Sequence, residues 1–236
     1  MAITTPPPPP KKKSRFGCLG CGCLVLIVIL LLIGALIGGA FYAGYKGLYT
    51  LTSDTPAAVA PYAGGDDTYN SAEQKIAAFN KTFAAHQPSS VQLTADEINA
   101  LIAHNPAAIR NNVRAHVTFT GSEAHLETTV PSALLWGLIK GRYFNIDGTF
   151  GLGFDAGSHQ VRVDPHSLQI GEEALLGPGS ANADNPSLNH AFTDSFVPQF
   201  NESFNRGLRN NSDAATVLDR ATSIEIKDGV LDIETQ

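Results

Sequence analysis

No cysteine follows Cys23 in this 236-residue chain, so whatever folds beyond that point does so without disulfides. Charge is also scarce: Asp, Glu, Lys and Arg make up 16% of the residues, and none lies between Phe16 and Tyr45. There is no glycine period, and three cysteines are too few for a disulfide-dense scaffold, which excludes collagen-like and cystine-rich classes. No G-x-S-x-G and no P-loop occurs, so a hydrolase elbow and a phosphate cradle are both unsupported. The stretch Gly148 to Gly153 (GTFGLG) lies inside an alternating strand pattern, not ahead of a helix. With nucleophile and acid/base constellations also lacking, the expectation is a protein that is not an enzyme and needs no cofactor.

What the chain does have is one long apolar run. Leu24 to Ile37 reads LVLIVILLLIGALI. Leu24 to Tyr45 would be about 33 Å long as a helix, enough for a hydrocarbon core of about 30 Å. Residues 16–45 are therefore expected to be a transmembrane helix. Lys11, Lys12, Lys13 and Arg15 precede it, whereas Lys46, Asp54, Asp66 and Asp67 follow. The basic side stays inside, so the expected location is the cell membrane, single-pass, with a cytoplasmic N-terminus and an extracytoplasmic C-terminal domain. The alternative is a cleaved signal peptide, with Gly38-Gly39-Ala40 as the cleavage site. Either way the C-terminal part is exported. Past residue 45 there are 12 basic and 22 acidic residues, a net charge of −10, which is no footprint for nucleic acid.

The cysteines Cys18, Cys21 and Cys23 crowd the start of this run. They lack a fourth ligand for a closed zinc site and read as small interface residues. Gly34 and Gly38 are four apart, a spacing that lets two membrane helices approach and self-associate.

Residues 1–15 contain Pro6 to Pro10 followed by three lysines, an extended, disordered cytoplasmic tail. Residues 46–70, with Pro56, Pro61 and Gly64-Gly65, read as a linker. The exported domain is expected over 71–236, long enough for one core.

Within it, Ser71 and Gln74 form a candidate capping box for a helix over 72–86, and Thr94 and Glu97 form a second. The period then changes from helical to two. A hairpin turning at Gly121-Ser122 pairs Phe119 with Ala124 and Val117 with Leu126. A second hairpin turns at Gly157-Ser158 and sets Val161 and Val163 against Phe154 and Leu152. The parity of Leu168 and Ile170 then implies a bulge or bend near Asp164-Pro165. Pro131 to Lys140 is a short helix or crossover, and Gly171 to Pro186 a loop. Phe192, Phe196, Phe200 and Phe204 recur every four residues on a helix kinked near Pro198. Asp228-Gly229 turns a final hairpin. The fold class is α+β: a twisted antiparallel sheet built from hairpins and covered by helices, preceded by the transmembrane helix.

The segment Leu93 to Ile102 (LTADEINALI) resembles the segment that follows the anchor in YpmS-like bacterial proteins. Gly148 to Ile170 and the hairpin Ile224 to Ile233 resemble that family's later strands. The resemblance spans about 70–233 in order of elements. It implies one N-terminal membrane helix carrying an external sheet domain, and brings no catalytic residues.

Three functional expectations follow. The first is a non-catalytic, membrane-anchored exported protein whose domain binds a partner protein or envelope component. The second is binding or transfer of a lipid or other hydrophobic ligand, in a cavity lined by Phe144, Phe150, Phe154, Phe192, Phe196, Phe200 and Phe204. An aromatic stripe on a covering helix is more often solid core. The third is a metal site at His116, His125 and Glu127, which share the polar face of the first hairpin. A solvated sheet face is the plainer reading of that trio. Asn80, Asn201 and Asn210 would be glycosylation acceptors in a eukaryotic secretory route.

Overall fold

A computed structural model describes residues 51–134, 141–177, 194 and 197–236. The expected membrane helix with Gly34 and Gly38, the three cysteines, Phe192 and Phe196 all lie outside these residues. Among the described residues, no helix is long and apolar enough to cross a membrane.

The first helix, α1 (Asp66–Ala84), starts five residues before the expected cap. Asp66 and Asp67 sit in its first turn, where carboxylates complement the helix dipole. Ser71 is inside the helix, and its hydroxyl donates to Glu97 Oε1 at 2.8 Å. Ala72, Ile76 and Phe79 form the buried stripe. Strand β1 (Ser89–Thr94) buries Val91 and Leu93 by alternation. It leads into α2 (Ala95–Ala103) through the Thr94–Glu97 capping box, in which both reciprocal bonds form. Asn105-Pro106 ends this helix and starts the next. Asn105 Oδ1 accepts from the N–H groups of Ala107 and Ala108, and Pro106 opens the short α3 (Pro106–Arg110).

β2 (Arg114–Thr120) and β3 (Glu123–Pro131) pair in the register expected, with Phe119 opposite Ala124 and Val117 opposite Leu126. A 3₁₀ turn over Ser132–Leu134 follows. β4 (Tyr143–Asp155) and β5 (Gln160–Ile170) form the second hairpin, with Val161 opposite Phe154 and Val163 opposite Leu152. Pro165 does not end β5: the register shifts once, between Thr149 and Phe150, and His166 is the extra residue. Part of the expected loop is a strand, β6 (Glu173–Leu176), paired to the end of β5. Pro198 lies in the first turn of α4 (Val197–Asn210). Proline is tolerated in a first helical turn, whose N–H groups have no intrahelical partner; residues 195 and 196, where the expected kink would fall, lie outside the described residues. A helix not anticipated, α5 (Ser212–Arg220), is capped by Asn211. The chain closes with β7 (Ala221–Lys227) and β8 (Val230–Thr235), joined by Asp228 and Gly229 at φ 51° and 78°. Those positive values are what a tight hairpin turn demands.

The strands make two antiparallel sheets where one was expected. One has five strands in the order β2-β3-β4-β5-β6, and the other three in the order β1-β8-β7. β1 pairs with the last strand, Val91 opposite Ile233. The core lies between the sheets and helices, and Phe144, Phe204, Leu93, Leu168 and Ile170 are among its most buried side chains. The class is α+β with antiparallel sheets and helices.

Much of the expected 46–70 linker is part of the fold: its last residues, from Asp66, open α1, and residues 51–59 dock on the sheet. Ser53 and Tyr143 exchange backbone hydrogen bonds at 2.9 and 2.8 Å. Asn145 accepts from the Ala57 N–H and donates to the Thr55 carbonyl. Arg142 bonds Thr52 and Asp54, and Leu51 and Val59 are buried. This strap, residues 51–59, crosses the polar side of the five-stranded sheet at the Tyr143 end.

Candidate functional site

The inward residues of β2 to β5 do not close completely on what covers them. A cavity of about 120 Å³ remains between the five-stranded sheet, the β7–β8 hairpin and helices α2, α4 and α5. Its deep end is set by buried Val163, Phe204, Leu208 and Leu218. Toward the hairpin turns its wall passes to half-buried Phe119, Ala124, Leu152 and Leu231. There the two turns touch, the Gly229 N–H donating to the Gly121 carbonyl at 3.1 Å. No polar atom contributes to the wall, and a dry apolar cavity of roughly 150 Å³ is known to take up benzene or xenon.

Of the five expected phenylalanines among the described residues, Phe150 and Phe204 line this space. Phe200 is buried and stacks on Phe204 with ring centroids 6.1 Å apart, but it does not reach the cavity. Phe144 is buried at the other end of β4, and Phe154 packs half-buried against the core. Most of the wall is aliphatic. Ile224, Ile226, Leu231 and Ile233 come from the last hairpin and Val217 and Leu218 from α5. The turn at Asp228-Gly229 announced this hairpin, but nothing local said which space its residues face.

Gly148 explains the position of Phe150. A Cβ on Gly148 would meet the Phe150 ring at 2.6 Å and the Ser167 carbonyl oxygen at 2.9 Å. The ring lies folded over that glycine, and any side chain there would drive it away.

The opposite, polar face of the same sheet carries the histidines. His116 lies opposite Glu127, as the hairpin register required. The next strand adds Asp147, directly opposite Glu127. Ligand atoms of His125, Glu127 and Asp147 come within 4.8 Å of one another, and His125 Nε2 is 3.8 Å from Asp147 Oδ2. His116 does not join them: its Nδ1 is buried without a hydrogen-bond partner. The geometry thus replaces His116 with Asp147 in the expected trio. The alternation of β4 marks Asp147 as polar-facing, but only pairing between the two hairpins sets it beside Glu127. His166 bonds Glu123 at 2.7 Å and His159 donates to the Leu218 carbonyl at 3.1 Å, so both serve neighbouring contacts.

Glu97 is the clearest perturbed acid. Burial pushes its carboxyl up, but the Lys75 ammonium at 2.7 Å, the Thr94 N–H and the Ser71 hydroxyl together outweigh that and hold it below the usual range. It joins α1 to α2 and lies outside both sites. Asn201 is also engaged: its amide bonds both backbone groups of Val163, which leaves no free nitrogen for a glycan in the folded domain.

No protein-family model, no curated protein and no solved structure matches this chain.

Proposed function

We propose that this chain is a single-pass membrane protein whose exported domain binds the apolar end of a small ligand, an acyl or isoprenoid chain, without chemistry. The observation that carries this reading is the all-apolar cavity between the sheets. The uncharged run at 16–45 and the basic residues ahead of it support the anchor and its direction. The order of elements that resembles YpmS-like proteins agrees with an anchored external sheet domain.

The cavity lies away from the point where the strap meets the sheet. The strap reaches the sheet at Tyr143, whereas Leu152 lines the cavity. Nine residues of strand separate them, about 30 Å at roughly 3.3 Å per residue.

The volume restricts the guest to a chain end of about four or five carbons, by comparison with benzene in a cavity of about 150 Å³. Each buried methylene contributes about 0.8 kcal/mol, or roughly fourfold in affinity. Straight-chain carboxylates from C4 to C12 should bind the full-length protein with affinity rising over the first few carbons and then levelling. Native mass spectrometry with lipid extraction should find a bound chain in protein taken directly from the membrane. Ala124→Phe, at the half-buried end of the cavity, should remove both. If no lipid co-purifies and neither the series nor Ala124→Phe has any effect, the apolar-ligand reading is wrong, and partner binding by the surface becomes the function to pursue by crosslinking.

A further inference from the structure

We propose that His125, Glu127 and Asp147 bind one divalent transition-metal ion on the polar face of the five-stranded sheet. This site is separate from the apolar cavity and does not depend on the ligand proposed for it.

Three observations converge. The first is the arrangement of donors. Glu127 on β3 and Asp147 on β4 are directly opposed, and His125 is two residues before Glu127 on the same face. Their ligand atoms fall within 4.8 Å of one another. Rotations moving each atom by about 1 Å would bring all three to the roughly 2.0–2.2 Å at which zinc takes imidazole and carboxylate ligands.

The second observation is the state of the imidazole. His125 Nδ1 lies 3.4 Å from Thr149 Oγ1, while Nε2 points to the carboxylates. In the tautomer whose Nδ1–H donates to the threonine, Nε2 is the nitrogen left to ligate. A ligating histidine is ordinarily oriented by such an outer partner.

The third is uncompensated charge beside room for an ion. Two carboxylates directly opposite each other repel, and among the described residues no Lys or Arg pairs with either. A groove of about 210 Å³ lies against both, walled on its other side by Ala57, Ala58 and Val59 of the strap. His125 lies outside that groove, which would give water access to the ion from the side of the two carboxylates. The imidazole selects a zinc-like ion over calcium or magnesium, which prefer all-oxygen sites.

The test uses the full chain in detergent with Cys18, Cys21 and Cys23 changed to serine, so that those thiols contribute nothing. After chelator treatment, Zn²⁺ is titrated calorimetrically at pH 7, and Co²⁺ is followed by its visible absorption. One ion per chain is expected, with His125→Ala and Asp147→Asn each weakening binding at least tenfold. Thr149→Val should weaken it about tenfold, as loss of an outer partner does. His116→Ala should stay within twofold. Circular dichroism checks each variant, and Glu127→Gln with Asp147→Asn replaces His125→Ala if the latter fails to fold. Absence of a stoichiometric ion overturns the proposal, as does binding that survives loss of two of the three ligands or that is lost only with His116.

Discussion

Asn205 of α4 accepts a hydrogen bond from the Val161 N–H and donates one to the Val161 carbonyl, both at 2.8 Å. One side chain thus stands where a further strand would pair. Asn201, one turn earlier, does the same for Val163. On the far edge of the sheet, Asn99 of α2 does it for Val117, again with both bonds at 2.8 Å. An open strand edge is a template for unwanted pairing. Here helices close the edges with asparagine amides, and the same helices wall the apolar cavity.

Asn205→Ala should therefore destabilise the domain by about 2–6 kcal/mol, because two buried backbone groups lose their partners at roughly 1–3 kcal/mol each. Urea unfolding followed by circular dichroism measures it. A change under 0.5 kcal/mol would mean that water replaces the amide at this edge.

Acid should weaken the domain through Glu97. Its folded pKa lies below the unfolded value, so the folded state binds fewer protons. The stability this contributes is full above the ordinary Glu value of about 4.3. It is lost as pH falls through the lower folded value. In Glu97→Gln this part of the acid dependence should vanish, with lower stability at neutral pH. Thermal melts from pH 7 down to pH 3 on both proteins check it.

Gly148→Ala should cost about 1–3 kcal/mol, the usual range for overpacking, because the backbone of Ser167 and the Phe150 ring both stand inside contact distance of the new carbon. The displaced ring borders the cavity. The same variant should therefore lose affinity for short carboxylates, which calorimetry would show alongside the melt.

Leu208→Ala removes a buried wall of the cavity and should cost about 2–5 kcal/mol. Its larger cavity should take longer chains, moving the plateau of the carboxylate series by two to three carbons on the order expected for the lost side-chain volume. An unchanged plateau would mean that the chains bind elsewhere.

The anchor direction is open to a direct chemical test. Cys18, Cys21 and Cys23 precede the apolar run and should escape a membrane-impermeant maleimide in intact cells. They should react once the membrane is opened. Labelling of intact cells would reverse the assigned topology.

Much of the local structure was legible in the residues themselves. The alternation of Val117, Phe119, Ala124 and Leu126 fixed the first hairpin because one slip would turn every apolar side chain to water. Thr94 and Glu97 announced a helix start because both members of the box bond within four residues. Ser71 and Gln74 offered the same signal and were overruled: Ser71 serves Glu97 on the next helix, and α1 continues back to Asp66. A capping pattern states what a backbone can do, and tertiary contacts decide whether it does so.

What the sequence determined is which residues face inward, where the hairpins turn and which run is apolar enough for a membrane, since each depends on neighbours a few positions apart. Only the tertiary structure decided that β1 pairs with β8, that the strap docks on Asn145, and that Asp147 stands beside Glu127. It alone also decided that the inward faces leave a space bordered by Phe150 and Phe204, with Phe144 buried outside it. Periodicity assigns a side chain to a face. A void, or a cluster drawn from separate hairpins, depends on how whole elements stack, and no local pattern encodes that.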